Sequence, residues 1–312
     1  MMDARETAPL DWGADIGRVA VFRALNLGDM LCAVPALRAL RARLPRARIT
    51  LVGLDSAAPV LRRFPQYLDE LAIFPGDAAF PEQPVRAAAL PAFYRDMRAR
   101  AFDLVLQMHG SGRRSNDIVR AMAPAQWAGF VPDAEQAVPG RLLPWPDHLH
   151  EIHRYLALLG HIGVDAADDS LEFPLGASDE AEADAVAVGS GLALDRTVFV
   201  HPGARLASRR WPLERYARVA AALADAGWQI AITGSKDEAP LARSLKDALG
   251  PRGVDLCGRT SLGALAALLR RGRLLVCNDT GISHVAAGVH LPSVVIASGS
   301  DVARWAPLDA SR

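Results

Sequence analysis

A dense set of ligand-type residues follows one apolar segment in the second half of the sequence. Before a short helical pattern, the chain reads Asn278-Asp279-Thr280-Gly281-Ile282-Ser283-His284. A helix N-terminus attracts anions because its first N–H groups have no partner within the helix. A lone histidine such as His284 is usually structural, but Asp279, Thr280 and Gly281 make this stretch richer in ligand-type residues than a plain turn requires. The stretch predicts an anion pocket.

Two further loops in this half of the sequence carry charged residues at strand ends. Arg209 and Arg210 precede Trp211-Pro212, and a proline suits the first turn of the helix that follows. A diphosphate would satisfy both arginines at such a helix start, although an ordinary loop with exposed arginines is the alternative. Glu238 follows another strand, where an acidic residue can accept hydrogen bonds from ribose hydroxyls. The alternative for Glu238 is a charge that only stabilises a helix N-terminus.

The first half of the sequence offers a carboxylate at the end of its first predicted strand. Gly28 permits a tight turn or the close approach of a ligand, and Asp29 follows at the mouth of the first helix. A carboxylate there can accept a proton as a general base. An aspartate that only caps the helix is the alternative, and this loop alone does not decide between them.

A glycine-rich loop follows another predicted strand in the first half. Here the sequence reads His109-Gly110-Ser111-Gly112-Arg113-Arg114. The two glycines let backbone N–H groups face a ligand, and Arg113 and Arg114 can pair with phosphate. The alternative is a glycine-rich turn that carries surface arginines.

Histidines and cysteines give no metal signature. His148, His150 and His153 lie beside Glu151. On a helix, His150 and His153 share a face, but His148 does not. We therefore expect a solvated or locally paired helix start that binds no metal ion. The cysteines are too few and too scattered for disulfides or a zinc site; they are expected to be buried thiols in a reducing compartment, and they are Cys32, Cys257 and Cys277.

Alternating apolar runs and amphipathic segments must position these residues. Strands are expected at 18–25, 49–52, 68–74, 103–108, 198–201, 228–233, 274–277 and 293–297. Helices are expected at 30–44, 56–64, 84–100, 115–122, 148–162, 213–226, 238–249, 261–270 and 283–287. This alternation predicts parallel sheets covered on both faces, in two α/β units joined by a linker near 165–195. In such sheets, ligands bind beyond the carboxyl ends of the strands.

Composition restricts the class of protein. The 312 residues suit two domains, and the 35 basic residues balance the 35 acidic ones, which argues against a dedicated nucleic-acid binder. The balance is uneven along the chain: residues 18–120 and 196–312 each carry 16 cations against 9 acidic residues, whereas residues 121–195 carry 2 against 13. Two basic lobes around an anionic substrate are one interpretation, and a solvated surface with an acidic linker is the other.

The sequence predicts a cytoplasmic protein. It has no run of 18 apolar residues, and its first residues are acidic rather than a basic-then-apolar signal, at Asp3, Glu6, Asp11 and Asp15.

These loops, taken together, resemble glycosyltransferase family 9, the ADP-heptose:lipopolysaccharide heptosyltransferases. The resemblance covers about residues 18–305, and the order and spacing of its motifs make it strong. It rests on Gly28-Asp29 with Ala33-Val34-Pro35-Ala36-Leu37, His201-Pro202-Gly203-Ala204, Arg210-Trp211-Pro212, Gly234-Ser235 with Glu238, and Asn278 to His284.

The resemblance implies an α/β fold of GT-B architecture, in which two Rossmann-like domains with parallel sheets face each other across a cleft. Residues 1–174 would bind the acceptor and residues 175–312 the nucleotide sugar. The reaction would be an inverting, metal-independent transfer of heptose from an ADP-activated donor, with no cofactor. The acceptor would be a phosphorylated glycolipid of the lipopolysaccharide core type, reached by peripheral contact with the cytoplasmic face of the inner membrane.

The resemblance also assigns roles residue by residue. Asp29 matches the general base, and Arg209 matches a basic residue that meets the diphosphate. Glu238 matches an acidic residue near the ribose. The donor sugar and phosphate pocket is matched by Asp279, Thr280, Gly281 and His284. Other residues are candidates from their loops alone. Arg210 is expected to face the diphosphate. The candidates for the acceptor side are Gly28, His109, Gly110, Arg113 and Arg114.

Two departures leave alternatives open. Where the family usually has Gly-Pro-Thr-Asp, this chain has Ser298-Gly299-Ser300-Asp301, and no helix that crosses back to the N-terminal domain follows Trp305. A family member that binds a nucleotide sugar without turnover is therefore one alternative. A transferase for another sugar or a non-lipid acceptor is a second, and an epimerase of the same architecture fits the motifs less well.

Overall fold

The computed structural model describes residues 7–13 and 15–308, and the chain divides into two compact units, Met1–Asp169 and Ser170–Arg312. Asp3 and Glu6 of the acidic start lie outside the described residues. The division falls five residues before the predicted boundary at 174/175, because the segment after Asp169 packs in the second unit. The Phe173 N–H donates to the Gly288 carbonyl at 3.0 Å.

The first unit is a six-stranded parallel sheet with helices between its strands. Its strands are β1 (Arg18–Phe22), β2 (Arg48–Gly53), β3 (Glu70–Ile73), β4 (Leu104–Gln107), β5 (Gln126–Val131) and β6 (Leu142–Pro144). Its helices are α1 (Leu27–Leu31), α2 (Val34–Arg43), α3 (Ala58–Arg63), α4 (Leu90–Ala99), α5 (Ser115–Ala121) and α6 (Glu151–His161). The strand order is β3-β2-β1-β4-β5-β6.

The second unit repeats this plan with a five-stranded parallel sheet. Its strands are β7 (Thr197–His201), β8 (Gln229–Ile232), β9 (Gly253–Asp255), β10 (Leu274–Asn278) and β11 (Ser293–Ile296). Its helices are α7 (Ala177–Gly189), α8 (Leu213–Asp225), α9 (Ala239–Leu249), α10 (Leu262–Arg270), α11 (Gly281–Gly288) and α12 (Val302–Trp305). The strand order is β11-β10-β7-β8-β9.

The first strand of each unit lies at the point where the strand order reverses. In register, Val19 of β1 pairs with Ile49 of β2 on one side and with Leu104 of β4 on the other. Likewise, Val198 of β7 pairs with Leu274 of β10 and with Ile230 of β8. Ligands in open α/β sheets bind beyond the strand ends at such a point, so the loops after β1 and β7 are the expected site positions.

The elements predicted from sequence are present, but several differ from the prediction. The helix predicted at 84–100 begins only at Leu90, because the proline in its first turn is Pro91 rather than Pro84. The short helix α12 was not predicted. The predicted linker is wrong over 177–189, because these residues form α7, which packs against α10. Strands β5, β6 and β9 were not predicted. The predicted helix at 30–44 is two helices that begin earlier, so that Gly28 and Asp29 lie inside α1. Within the described residues, every helix is too short or too polar to cross a bilayer.

Candidate functional site

Asp29 occupies the third position of the short helix α1, directly beyond β1. The N-cap position belongs to Asn26, whose side chain makes no capping bond. The alternative in which Asp29 caps this helix is therefore wrong. Asp29 is half-buried, in the first turn of α1. Its position at the carboxyl end of a central strand is one at which open α/β sheets bind ligands.

Arg23, which no motif in the sequence indicates, contacts the main chain of both candidate segments of the first unit. Its side chain is fully buried. The guanidinium donates to the Asp29 carbonyl through Nε at 3.1 Å and also through Nη2, and to the Met108 carbonyl through Nη1 at 2.8 Å. One side chain therefore contacts the main chain of Asp29 and that of the residue preceding His109.

A buried acidic partner compensates the charge of Arg23. Arg23 Nη2 lies 3.8 Å from Glu151 Oε1, and the guanidinium lies 4.2 Å from the centre of the Tyr155 ring. Tyr155 donates its hydroxyl to Glu151 Oε1, and Arg154 donates to Glu151 Oε2 at 3.2 Å. Burial alone would lower the pKa of Arg23, but Tyr155, Glu151 and Asp29 raise it above its ordinary value. Glu151 is thus a buried partner rather than a solvated residue.

His109 is held neutral beside Arg23. Its Nδ1 accepts the Ala24 N–H at 3.2 Å, and the Phe80 ring packs on it with centres 4.1 Å apart. Burial, followed by the positive charge of Arg23, lowers the pKa of His109 to about 3. Because Nδ1 is an acceptor, the neutral ring carries its proton on Nε2 and can offer that N–H as a donor.

The glycine-rich loop after β4 is shaped by buried polar side chains. Gln107 donates to the carbonyls of His109 and Gly110 at 2.8 and 3.3 Å. Gly112 has φ +93°, and a Cβ there would overlap the Phe130 carbonyl. Only glycine fits that position, because the left-handed backbone and the close approach both exclude a side chain.

The two arginines of this loop have different surroundings. Arg114 is bound to Asp77, with Nε and Nη2 at 2.9 and 2.8 Å from Oδ2. Burial alone would raise the pKa of Asp77, but Arg114 and the Ala79 N–H together lower it below its ordinary value. Arg113 is exposed and lines a polar cavity of about 310 Å³ with Asn116, Asp133 and other residues. Arg113 is therefore the more available of the two for an anionic ligand.

Asn278 is the structural centre of the candidate site in the second unit. This fully buried side chain accepts the Trp211 N–H on Oδ1 at 2.9 Å. Its Nδ2 donates to the carbonyls of Pro202 and Gly203 at 2.8 and 3.1 Å. The end of β10, the loop after β7 and the start of α8 are thereby fixed together.

Glu238 lies close to the loop after β7. Its Oε2 accepts the N–H and the hydroxyl of Ser235 at 2.8 and 3.0 Å, so the helix-start role is present. The same oxygen lies 3.8 Å from His201 Nε2, and His201 Nδ1 lies 3.1 Å from Thr233 Oγ1. Burial lowers the pKa of His201, and Glu238 opposes that shift. A Cβ on Gly203 would overlap the Glu238 carboxylate, so glycine permits this close approach.

The segment after β10 places its polar residues at the start of α11. Thr280 is the N-cap, and His284 is buried within the helix. Asp279 is buried, and its backbone N–H donates to the Ile296 carbonyl at 3.0 Å. The side-chain oxygen Oδ2 has no hydrogen-bond partner among the described residues. An unsatisfied buried acceptor costs about 1–3 kcal/mol, so this oxygen would gain from a donor.

The two candidate diphosphate residues lie between β7 and α8. Arg209 ends a 3₁₀ turn, Ala207–Arg209, and is partly exposed. Arg210 is exposed, and its Nε donates to the Ala204 carbonyl at 2.8 Å. A Cβ on Gly299 would lie 2.9 Å from the Ser208 carbonyl, so the loop that departs from the family motif packs on this turn.

The histidines of the acidic middle have structural contacts. His150 is the N-cap of α6 and accepts the Ile152 N–H at 3.2 Å, and His153 Nε2 lies 2.9 Å from Asp169 Oδ2. Over residues 7–13 and 15–308, no three His, Cys, Asp or Glu side chains are grouped so as to hold a metal ion. Cys32 and Cys277 are buried, as predicted, whereas Cys257 is half-buried, and the prediction for that thiol is wrong.

Comparison with curated proteins finds heptosyltransferases. The chain is 32% identical over 100 residues to lipooligosaccharide heptosyltransferase 2 of Haemophilus influenzae, a match that covers 30% of this chain and spans only 29% of that protein. It is 26% identical over 290 residues to lipopolysaccharide heptosyltransferase 2 of Salmonella typhimurium, covering 86% of this chain and 79% of that one.

Solved structures share the fold. A glycosyl transferase family 9 structure from Veillonella parvula superposes with a TM-score of 0.79 at 22% identity, over 95% of this chain and 84% of that one. The E. coli ADP-heptose lps heptosyltransferase II gives 0.73 at 20% identity, over 95% and 88%. The fold is therefore of the GT-B class expected from the resemblance. The sequence model of glycosyltransferase family 9 (heptosyltransferase) matches residues 91–312, and the chain belongs to that family.

Proposed function

We propose that this protein transfers a heptose from an ADP-activated donor to a phosphorylated acceptor of the lipopolysaccharide core type. The geometry of the second unit is the observation that supports this proposal. Arg209, Glu238 and Asp279 lie on the loops that follow β7, β8 and β10. Buried contacts of Asn278 and His201 connect these loops to one another. A curated relative and a solved structure named above are heptosyltransferases, and one is named for ADP-heptose.

The donor would be held by charge and by hydrogen bonds from this unit. Arg209 and the N–H groups at the start of α11 would meet the diphosphate, where positive charge and helix N-termini favour anions. Glu238 would accept hydrogen bonds from the ribose hydroxyls while Ser235 holds its Oε2. Asp279, Thr280, Gly281 and His284 would contact the phosphate and the sugar, and a sugar hydroxyl would satisfy Asp279 Oδ2.

In the transfer step, the acceptor hydroxyl oxygen attacks the anomeric carbon while the bond to the diphosphate oxygen breaks. Asp29 would take the proton of the attacking hydroxyl as general base. ADP leaves with the bonding electrons, and the growing negative charge would be stabilised by Arg209 and the α11 N-terminus. Attack opposite the leaving group inverts the anomeric centre and requires one base.

The first unit carries features that suit the acceptor. Gly28 and Asp29 lie beyond β1, while His109, Gly110 and Arg113 lie beyond β4, its neighbour in the sheet. A neutral His109 can donate a hydrogen bond to a sugar oxygen, and exposed Arg113 can pair with an acceptor phosphate. Excess arginine over residues 18–120 also favours approach to a phosphorylated glycolipid at an anionic membrane surface.

The test is heptose transfer by wild type and Asp29→Asn, measured by mass spectrometry with ADP-heptose and a phosphorylated lipopolysaccharide-core acceptor. Asparagine keeps the size of aspartate but cannot take a proton, so turnover should fall by about 10²–10⁴-fold. Donor Kd and Tm should change little, because the predicted donor residues are in the other unit. Normal turnover in a folded Asp29→Asn variant would contradict the role of Asp29.

Wild-type behaviour separates a transferase from a binding protein. ADP-heptose should raise Tm, because a ligand that binds only the folded state stabilises it, and the rise should persist in EDTA. A rise in Tm without any transfer would instead support a family member that binds the nucleotide sugar without turnover.

A further inference from the structure

Arg23 contacts the main chain of α1 at Asp29 and the main chain directly before the glycine-rich loop that begins at His109. Its guanidinium donates to the carbonyl of Asp29 and to the carbonyl of Met108, the residue before His109. We propose that Arg23 is a positioning residue for the transfer reaction, acting through Asp29. This inference rests on the proposed function, because it takes Asp29 to be the general base.

The local structure around Asp29 needs an external support. Helix α1 has only five residues, and its N-cap makes no side-chain bond. Isolated helices of this length are unstable, and an uncapped first turn lacks a further source of stability. Two bonds from Arg23 to the Asp29 carbonyl supply that support at the residue that would do the chemistry.

Arg23 is itself held by two buried side chains. Glu151 lies 3.8 Å from its Nη2, and the Tyr155 ring packs under the guanidinium. A planar guanidinium held by a carboxylate and an aromatic face has little freedom, so its N–H groups define where the two carbonyls lie. The charge of Arg23 also interacts favourably with the Asp29 carboxylate. Burial lowers the pKa of His109, and the charge of Arg23 adds to that shift.

A purely structural role is the competing explanation, and Arg154 provides a matched control for it. Arg154 is also buried and also bonds Glu151, but its other bonds are to the carbonyls of Pro146 and Asp147, at 3.1 and 2.6 Å. Loss of either arginine leaves Glu151 with one buried cation fewer. Only loss of Arg23 releases the main chain of Asp29.

The experiment compares Arg23→Gln with Arg154→Gln in the full chain, measuring Tm, kcat and the KM for ADP-heptose. Both variants should lower Tm. Only Arg23→Gln should lower kcat, by about 10²-fold, because a displacement of about 1 Å in a reacting group costs that much. The donor KM should stay unchanged in both. Arg23→Lys keeps the charge but replaces the rigid guanidinium fork with a single ammonium on a flexible stem, so its kcat should be intermediate.

A double variant shows whether Arg23 acts through Asp29. In the Asp29→Asn background, Arg23→Gln should cause no further loss of turnover, since the group that it positions no longer takes a proton. Multiplicative losses, or an equal fall of kcat in Arg154→Gln, would overturn the inference. If Arg23→Gln does not fold, Arg23→Lys against Arg154→Lys carries the same comparison.

Failure of this inference is distinguishable from failure of the proposed function. Wild-type protein without transfer activity would contradict both. An active wild type with normal turnover in Asp29→Asn would contradict the base assignment and the inference with it. An active wild type in which Asp29→Asn is slow and Arg23→Gln is normal would overturn the inference alone.

Discussion

Buried His109 makes the stability of the fold depend on pH. Its pKa falls from an ordinary 6.5 to about 3 in the folded chain, through burial and the charge of Arg23. Between these values the unfolded chain binds more protons, so the free energy of unfolding falls as pH decreases from about 6.5 towards 3. We expect wild type to lose stability between pH 6.5 and 5 in urea unfolding, and His109→Asn, whose amide oxygen can accept the Ala24 N–H, to lose less.

An exposed histidine serves as the control for that measurement. His148→Asn should keep the wild-type pH dependence, because His148 is exposed to solvent. Part of the dependence should remain in His109→Asn, since burial also lowers the pKa of His201. An identical slope in His109→Asn and wild type would contradict the neutral, buried state of His109.

Arg209 is the residue on which donor affinity should depend most. Arg209→Ala should weaken ADP binding by about 1.5–3 kcal/mol, the range for hydrogen bonds to charged groups, or roughly 10–150-fold in Kd. Isothermal titration calorimetry measures this directly. Arg218→Ala removes an exposed arginine of the same unit, on α8, and should leave Kd unchanged. Equal affinities for wild type and Arg209→Ala would exclude the assigned phosphate contact.

Residue types and spacing identified Asp29, Glu238 and Asp279 as candidates, but they did not identify Arg23. Its position inside an apolar stretch at 18–25 indicates only a buried strand. Its partner Glu151 lies far along the chain, in a segment that looks like an acidic helix start. Such a pair is visible only after folding has brought the two segments together.

Helix and strand signals were strong where apolar residues are periodic and weak elsewhere. Strand β5 contains Gly129, where a Cβ would lie 2.5 Å from the Gln107 Cβ, so the glycine that weakens the strand pattern is required by packing. Strands β6 and β9 have three residues each, too few for a periodic signal. The acidic face of α7 looked like a linker because its partners, Arg270 and Arg271, are supplied by the chain segment around α10.

Gly203, in the loop after β7, lies directly against the Glu238 side chain at the start of α9. Gly203→Ala would place a Cβ on the Glu238 carboxylate and force it to move. The backbone of Gly203 is not left-handed, so the main effect should be on Glu238 rather than on chain conformation. The displaced carboxylate should lose a hydrogen bond to the nucleotide, and a hydrogen bond to a charged group contributes about 10-fold to affinity. We therefore expect the Kd for ADP, measured by titration, to rise at least about 10-fold.

Gly189 provides the control for this substitution. A Cβ at Gly189, the last residue of α7, meets nothing within 4 Å. Gly189→Ala should leave Kd unchanged and should raise Tm, since alanine is favoured over glycine in a helix by roughly 0.5–1 kcal/mol. Unchanged ADP affinity in Gly203→Ala would argue against the ribose role of Glu238.

The chain forms two α/β units, each with its own parallel sheet and core. The residues predicted to bind the nucleotide sugar are all in Ser170–Arg312. A fragment of residues 170–312 should therefore fold and bind ADP in a titration, with affinity reduced by any contact that the other unit supplies. Binding of ADP by a fragment of residues 1–169 as tightly as by the full chain would reverse the assignment.

Both units hold their candidate loops through main-chain carbonyls. Asn278 bonds the carbonyls of Pro202 and Gly203, and Arg23 bonds those of Asp29 and Met108. Every residue has the same main-chain carbonyl, so these hydrogen bonds do not depend on which side chains the loops carry. Loop shape and loop chemistry are therefore separable: side chains that face a ligand can be exchanged while the path of the chain is kept. Selection on such a framework can change which sugar or acceptor is preferred without rebuilding the fold.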